Sequence, residues 1–80
     1  SDLIESGVKI TGSDEFPVII GKGVTLKGIT YIFGSKIEDG FLIEHSVLIK
    51  KEIKSENGEA KSIGYYIPET VGKNLVKDLK

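Results

Sequence analysis

The sequence predicts a mainly β fold: a short single-stranded β-solenoid, then a β-hairpin, then a C-terminal α-helix. Three observations lead there. A short strand signature recurs about every six residues, glycines fall between the signatures, and the pattern changes to helical spacing only near the end.

The signature is an apolar or small residue, a variable one, then an aliphatic one. It occurs at Val8/Ile10, Val18/Ile20, Val24/Leu26, Thr30/Ile32, Ser35/Ile37, Phe41/Ile43 and Val47/Ile49. The aliphatic members are ten, six, six, five, six and six residues apart. Alternation sends the outer two residues of each signature to one side of a strand. A turn directly after each strand coils the chain, and stacked coils gather the aliphatic residues into an interior column. Ile20, Leu26, Ile32, Ile37, Ile43 and Ile49 are the expected column. Gly21, Gly23, Gly28, Gly34 and Gly40 stand at the expected turns, with Asp39-Gly40 as an added turn signal. An evenly spaced antiparallel meander is the competing arrangement.

The coils are expected over residues 4–50. A hairpin follows over 49–67, because Asn57-Gly58 between two apolar stretches is a strong two-residue turn signal. Pro68 ends its second strand, and Val71, Leu75, Val76 and Leu79 share one stripe of an amphipathic helix over 69–80. Gly72 weakens that helix by about 1 kcal/mol relative to alanine, so the helix depends on docking.

Composition narrows the function. The 80 residues form one domain with a net charge of -1 and dispersed signs, so no basic surface for nucleic acid or anionic membrane is expected. All 11 basic residues are lysines, which disfavours a bidentate phosphate clamp. Without cysteine there is no disulfide, thiol nucleophile or thiolate metal site. No apolar run approaches the roughly 20 residues of a membrane span, so a cytoplasmic location is expected. The chain contains no methionine, and it is therefore expected to be part of a longer protein.

The stretch Val18-Ile19-Ile20-Gly21-Lys22-Gly23-Val24-Thr25-Leu26 resembles the hexapeptide repeat of left-handed β-helices, in which three hexapeptides make one triangular coil. The run from Ile37 to Ile49 looks like two more repeats. The resemblance covers roughly residues 4–50 and departs at the ten-residue step through Ser13–Pro17 and the five-residue step through Phe33–Lys36. Such repeats occur in acyltransferases, γ-class carbonic anhydrases and the C-terminal domains of sugar-1-phosphate nucleotidyltransferases. Gly23-Val24-Thr25-Leu26-Lys27-Gly28, followed by Asp39-Gly40, is similar to the last of these, as found in UDP-sugar pyrophosphorylases. That likeness implies a non-catalytic domain for assembly or regulation, without cofactor. Its partners would be its own N-terminal catalytic domain or identical subunits.

Two alternatives belong to other classes. A fragment of a hexapeptide acyltransferase would use His45, the one histidine, as a general base. A polymerising or partner-binding scaffold would use the open strand edges of a solenoid end. A carbonic-anhydrase-like zinc site needs three histidines. Glu38, Asp39 and Glu44 form a loose carboxylate group whose plain reading is solvated corner residues. Gly21-Lys22-Gly23 lacks the spacing of a phosphate loop. Of Tyr65-Tyr66, only one can face a buried side.

A triangular coil also predicts a contact face. The middle residues Ile19, Thr25, Tyr31, Lys36, Leu42 and Leu48 should point outward, with three faces repeating in turn. Only the third face then stacks two large apolar groups, Tyr31 and Leu48. The expected interface is therefore Tyr31 and Leu48, covered by a neighbouring subunit or by Val71, Leu75 and Leu79 of the helix.

Overall fold

The computed structural model describes residues 3–56, 58, 60–64 and 75–79. The chain is mainly β, with short strands following one another around three sides. The first round holds β1 (Leu3–Ile4), β2 (Val8–Thr11) and β3 (Ile19–Ile20). The second holds β4 (Thr25–Lys27), β5 (Thr30–Phe33) and β6 (Lys36–Ile37), and the third β7 (Leu42–Glu44), β8 (Val47–Ile49) and β9 (Lys51–Ile53). Two further strands are β10 (Ser62–Ile63) and β11 (Val76–Asp78).

Each strand pairs in parallel with the strand one round away, giving sheets β1-β4-β7-β10, β2-β5-β8 and β3-β6-β9, with β11 added beside β9. These parallel sheets fit a β-solenoid. A meander would have paired consecutive strands antiparallel, and no consecutive strands among the described residues pair at all.

Register shows how the core is filled. Ile4, Leu26, Ile43 and Ile63 align on the first side. Ile10, Ile32 and Leu48 align on the second, and Ile20, Ile37 and Ile53 on the third. Leu26, Ile32, Ile37, Ile43, Leu48 and Ile53 are buried in one cluster with Val24, Phe41 and Leu75. Each such side chain stabilises the fold by roughly 1.5–3 kcal/mol relative to exposure. Ile10 and Ile20 are only half-buried, because the first round has a neighbour on one side alone.

The expected column therefore holds at Leu26, Ile32, Ile37 and Ile43 and fails at Ile49, which is 48% exposed. Leu48 occupies the inward place instead, so it does not point outward as the six-residue count required. The cause is one corner. Leu26 and Ile43 are seventeen residues apart, whereas Ile32 and Leu48 are sixteen apart. Gly28 and Ile29 make this turn in the second round, but His45 and Ser46 lead into β8 with one residue fewer before the aligned position. Ile29 is the surplus residue, thrown outward at 76% exposure. Because strand side chains alternate, losing one residue exchanges inside for outside along the whole of β8.

Six corners each carry a residue with positive φ: Gly23, Gly28, Gly34 and Gly40, then His45 and Lys50. Buried hydroxyls bind the corners together. Thr30 donates to the Lys27 carbonyl at 2.9 Å and accepts from the Ser46 N–H at 3.2 Å. Ser35 donates to the carbonyls of Phe33 and Leu48 and accepts from the Lys51 N–H at 3.0 Å. The long step between β2 and β3 is a loop pinned by a turn, in which the Ser13 N–H donates to the Phe16 carbonyl and the Phe16 N–H to Ser13 Oγ. This loop lays Phe16 over Gly34, where an added Cβ would lie 2.7 Å from Phe16.

The expected hairpin over 49–67 does not form among the described residues. β9 extends the β3-β6 sheet, whereas β10 pairs with β7 on another side. Gly58 has the positive φ that the turn signal required, but the turn leads to the next corner of the coil instead of back along β9. Parallel pairing to the round below satisfies both strands while keeping Ile53 and Ile63 inside. Of the expected helix over 69–80, residues 69–74 and 80 lie outside the described residues, and in the remainder Val76–Asp78 is a strand, antiparallel to β9. Val71, Tyr65 and Tyr66 lie outside the described residues. Leu75 is wholly buried and Leu79 half-buried, but the strand between them lies beside β9 on the third side and not over Tyr31 on the second.

Candidate functional site

The polar side chains singled out from the sequence sit at corners, where the strands stop and backbone groups need partners. At the corner between the first and second sides, the Gly28 N–H donates to Glu5 Oε1 at 2.9 Å. The next N–H, that of Ile29, donates to His45 Nδ1 at 3.2 Å, and the His45 N–H donates to the Lys27 carbonyl at 3.2 Å. The imidazole lies over Gly28, where any Cβ would overlap the ring. In a neutral imidazole one nitrogen accepts and the other carries the proton. With Nδ1 accepting the Ile29 N–H, one ring nitrogen of His45 is spent on the fold.

The carboxylates are spread over two corners. Asp39 Oδ1 accepts from the Lys22 N–H at 2.7 Å, and the Gly40 N–H donates to the Lys22 carbonyl at 2.8 Å. Gly21 must lack a side chain here because a Cβ would overlap Asp39. Thus Gly21-Lys22-Gly23 and Glu38-Asp39-Gly40 are stacked turns, one holding the other. Glu38 pairs with Lys61 at 3.1 Å and accepts from the Ser55 N–H at 3.3 Å. The Lys61 hydrogen bond, then that backbone N–H, holds the Glu38 carboxyl below its ordinary range. Lys61 also donates to the Asp39 carbonyl at 3.0 Å. Glu44 ends β7 at a different corner. Among the described residues no group of three histidine, aspartate or glutamate side chains is placed to hold a metal ion.

The anticipated contact face is partly as drawn. Tyr31 is half-buried on the outer side of β5, its hydroxyl 3.1 Å from Thr11 Oγ1. Leu48 is not on that face. Val47, 68% exposed, and Ile49 stand there, along with Phe33. Val47 and Ile49 were missed because the face was assigned by counting sixes past a corner that is one residue short, and Phe33 because only the middle residue of each strand was counted.

The other charged ensemble is at the far end. β11 lies against β9, with Asp78 paired to Lys51 and Lys77 to Glu56 at 2.7 Å. Lysine hydrogen bonds hold the carboxyls of Glu56 and Asp78 below their ordinary ranges. Leu75 closes the end of the core beneath this strand.

Compared with known proteins, the chain matches no family model, no curated protein and no solved structure. Among the described residues no helix is long and apolar enough to cross a membrane.

Proposed function

We propose that this chain is a non-catalytic, hexapeptide-repeat β-helix domain that serves assembly or regulation in a sugar-1-phosphate nucleotidyltransferase-like protein. The observation that carries the reading is the rotation of the chain through three parallel sheets, with an aliphatic residue inward at each pass. Repeat solenoids of this kind offer extended surfaces to partners and need little chemistry of their own. Its partners are identical subunits or the catalytic domain of the same protein, with no nucleic acid and no membrane. Nucleotide chemistry belongs to that catalytic domain.

The corner geometry supports a structural role for the chemistry-bearing residues. His45, Asp39 and Glu38 spend their acceptors on backbone N–H groups or a lysine of neighbouring rounds. The acyltransferase alternative is less well supported, because the His45 ring is turned into the fold through Nδ1.

Sedimentation equilibrium over a wide concentration range tests the self-assembly form of the reading. The expected result is a mass above that of one chain at the higher concentrations. A single-chain mass throughout overturns it. Acyl transfer from an acyl-thioester donor, lost in His45→Ala, would overturn the non-catalytic part.

A further inference from the structure

We propose that His45 is a proton-sensitive latch: its neutral ring holds the turn between the first and second sides from the round above, and protonation of the ring releases that turn. The latch acts alike in a single chain and in an assembly.

Three rounds meet at this corner. From the first, Glu5 Oε1 accepts the Gly28 N–H at 2.9 Å. Gly7 of the same round lies beneath Ile29, whose Cδ1 would be 3.2 Å from a Cβ added there. From the third, His45 lays its ring over Gly28 and accepts the Ile29 N–H at Nδ1, 3.2 Å away. Consecutive N–H groups of one turn are thus held by a carboxylate from one round and an imidazole from another. Of these two acceptors, histidine is the one that ordinarily changes charge between about pH 5 and 8.

Valence sets the consequence. A neutral imidazole offers one nitrogen lone pair, whereas imidazolium carries a hydrogen on both nitrogens and accepts nothing. The bond from the Ile29 N–H is therefore lost on protonation, and two N–H groups would be left facing each other. The ring is free to leave, since His45 is exposed. Among the described residues, the charged groups of the elements that meet here are Glu5 after β1, Lys27 at the end of β4 and Glu44 at the end of β7, while Ser62, Ile63 and Gly64 of the next round bring none. Two carboxylates against one ammonium favour the charged ring, and Glu5 already stands at Gly28.

The surrounding backbone keeps its place. The bonds from the His45 N–H to the Lys27 carbonyl, from the Tyr31 N–H to the Ser46 carbonyl and from the Ser46 N–H to the Thr30 hydroxyl do not involve the ring. What protonation frees is the turn Gly28-Ile29, and with it Ile29, at 76% the most exposed of the large apolar side chains described.

Amide hydrogen exchange on the whole chain, each rate taken relative to the intrinsic rate at the same pH, tests the latch. Protection at Ile29 should fall severalfold between about pH 7.5 and 5.5, in step with titration of the His45 ring, while Thr25 and Tyr31 keep theirs. In His45→Asn, whose short amide suits positive φ and does not titrate, protection at Ile29 should not change over that range. Ring nitrogen shifts of the unaltered chain give a second reading, with the proton expected on Nε2 at the higher pH. Unchanged protection at Ile29, the same fall in His45→Asn, a fall shared by Thr25 and Tyr31, or a neutral ring protonated at Nδ1 overturns the latch.

Discussion

The second and third rounds of the coil make two of their turns with different kinds of residue. The second passes its corners on Gly28, Gly34 and Gly40, all at positive φ, where glycine meets no Cβ penalty. The third uses His45 and Lys50, whose φ values of 48 and 52 place L side chains in a conformation that costs roughly 1–2 kcal/mol each. Each of these residues finds a local return. The His45 ring covers Gly28 and accepts the Ile29 N–H, and the Lys50 ammonium stands 4.5 Å from the centre of the Phe16 ring. A glycine in one round thus makes room for the side chain that turns the next.

The largest expected effect separates the two rounds by their inward residues. Replacing Ile32, Ile43 or Leu48 by alanine should destabilise the fold by about 2–5 kcal/mol in urea titrations. Ile49→Ala, on the outer face, should change it by only about 0.5 kcal/mol. Equal losses at Leu48 and Ile49 would mean that the third round is not shifted relative to the second.

Next come the glycine corners. Gly28→Ala combines the positive φ with overlap against the His45 ring, and a loss of about 3 kcal/mol is expected from backbone cost plus overpacking. Gly40→Ala meets only Lys61 Cδ at 3.7 Å, leaving the backbone cost of about 1–2 kcal/mol. In the His45→Ala background the two losses should converge, as a double-mutant cycle will reveal.

The converse changes are smaller. Lys50→Gly relieves the backbone but loses the contact with Phe16, for a net gain of about 0.5–1 kcal/mol in thermal or urea unfolding. His45→Gly should gain less, because the Ile29 N–H then loses its acceptor to solvent. A loss at both positions would show that side-chain contacts outweigh backbone conformation at these corners.

The pH response is weaker still. Glu38, Glu56 and Asp78 have carboxyls lowered by lysine hydrogen bonds. A carboxyl lowered in the folded state contributes stability above its unfolded value, and that contribution disappears as pH falls through the folded value. These three groups should therefore make stability decline on acidification below the ordinary carboxylate range. All three groups are at the surface, so the decline should be shallow, and Glu38→Gln should make it shallower.

Much of the coil could be read in the residues themselves. Val24-Thr25-Leu26 and Phe41-Leu42-Ile43 alternate, glycine follows or precedes them, and both pairs of outer residues are buried. The ten-residue step through Ser13–Pro17 was legible as a loop leaving the coil. The corner roles of Asp39 and Gly21 were legible only as a turn, since their contact joins residues eighteen apart. The frame of β8 was not legible. Val47, Leu48 and Ile49 are all aliphatic, so either alternation buries apolar side chains, and nothing local distinguishes them. The same holds for Asn57-Gly58, whose turn preference is satisfied by a hairpin or by a coil corner.

What the sequence by itself determined is the period: aliphatic residues recur every five or six positions, separated by residues able to take positive φ, and stacked coils gather such residues into one column. Tertiary structure decided the phase and the ending. Stacking on β5 selected which face of β8 turns inward, because Tyr31, Ile32 and Phe33 already stood in fixed alternation beside it. The free edge of β9, with Lys51 and Glu56 at hand, drew Val76–Asp78 into an extended strand, where helical spacing alone pointed to a helix. Backbone pairing with an existing edge and burial of Leu75 favour that outcome through neighbours distant in sequence, which local propensity does not register.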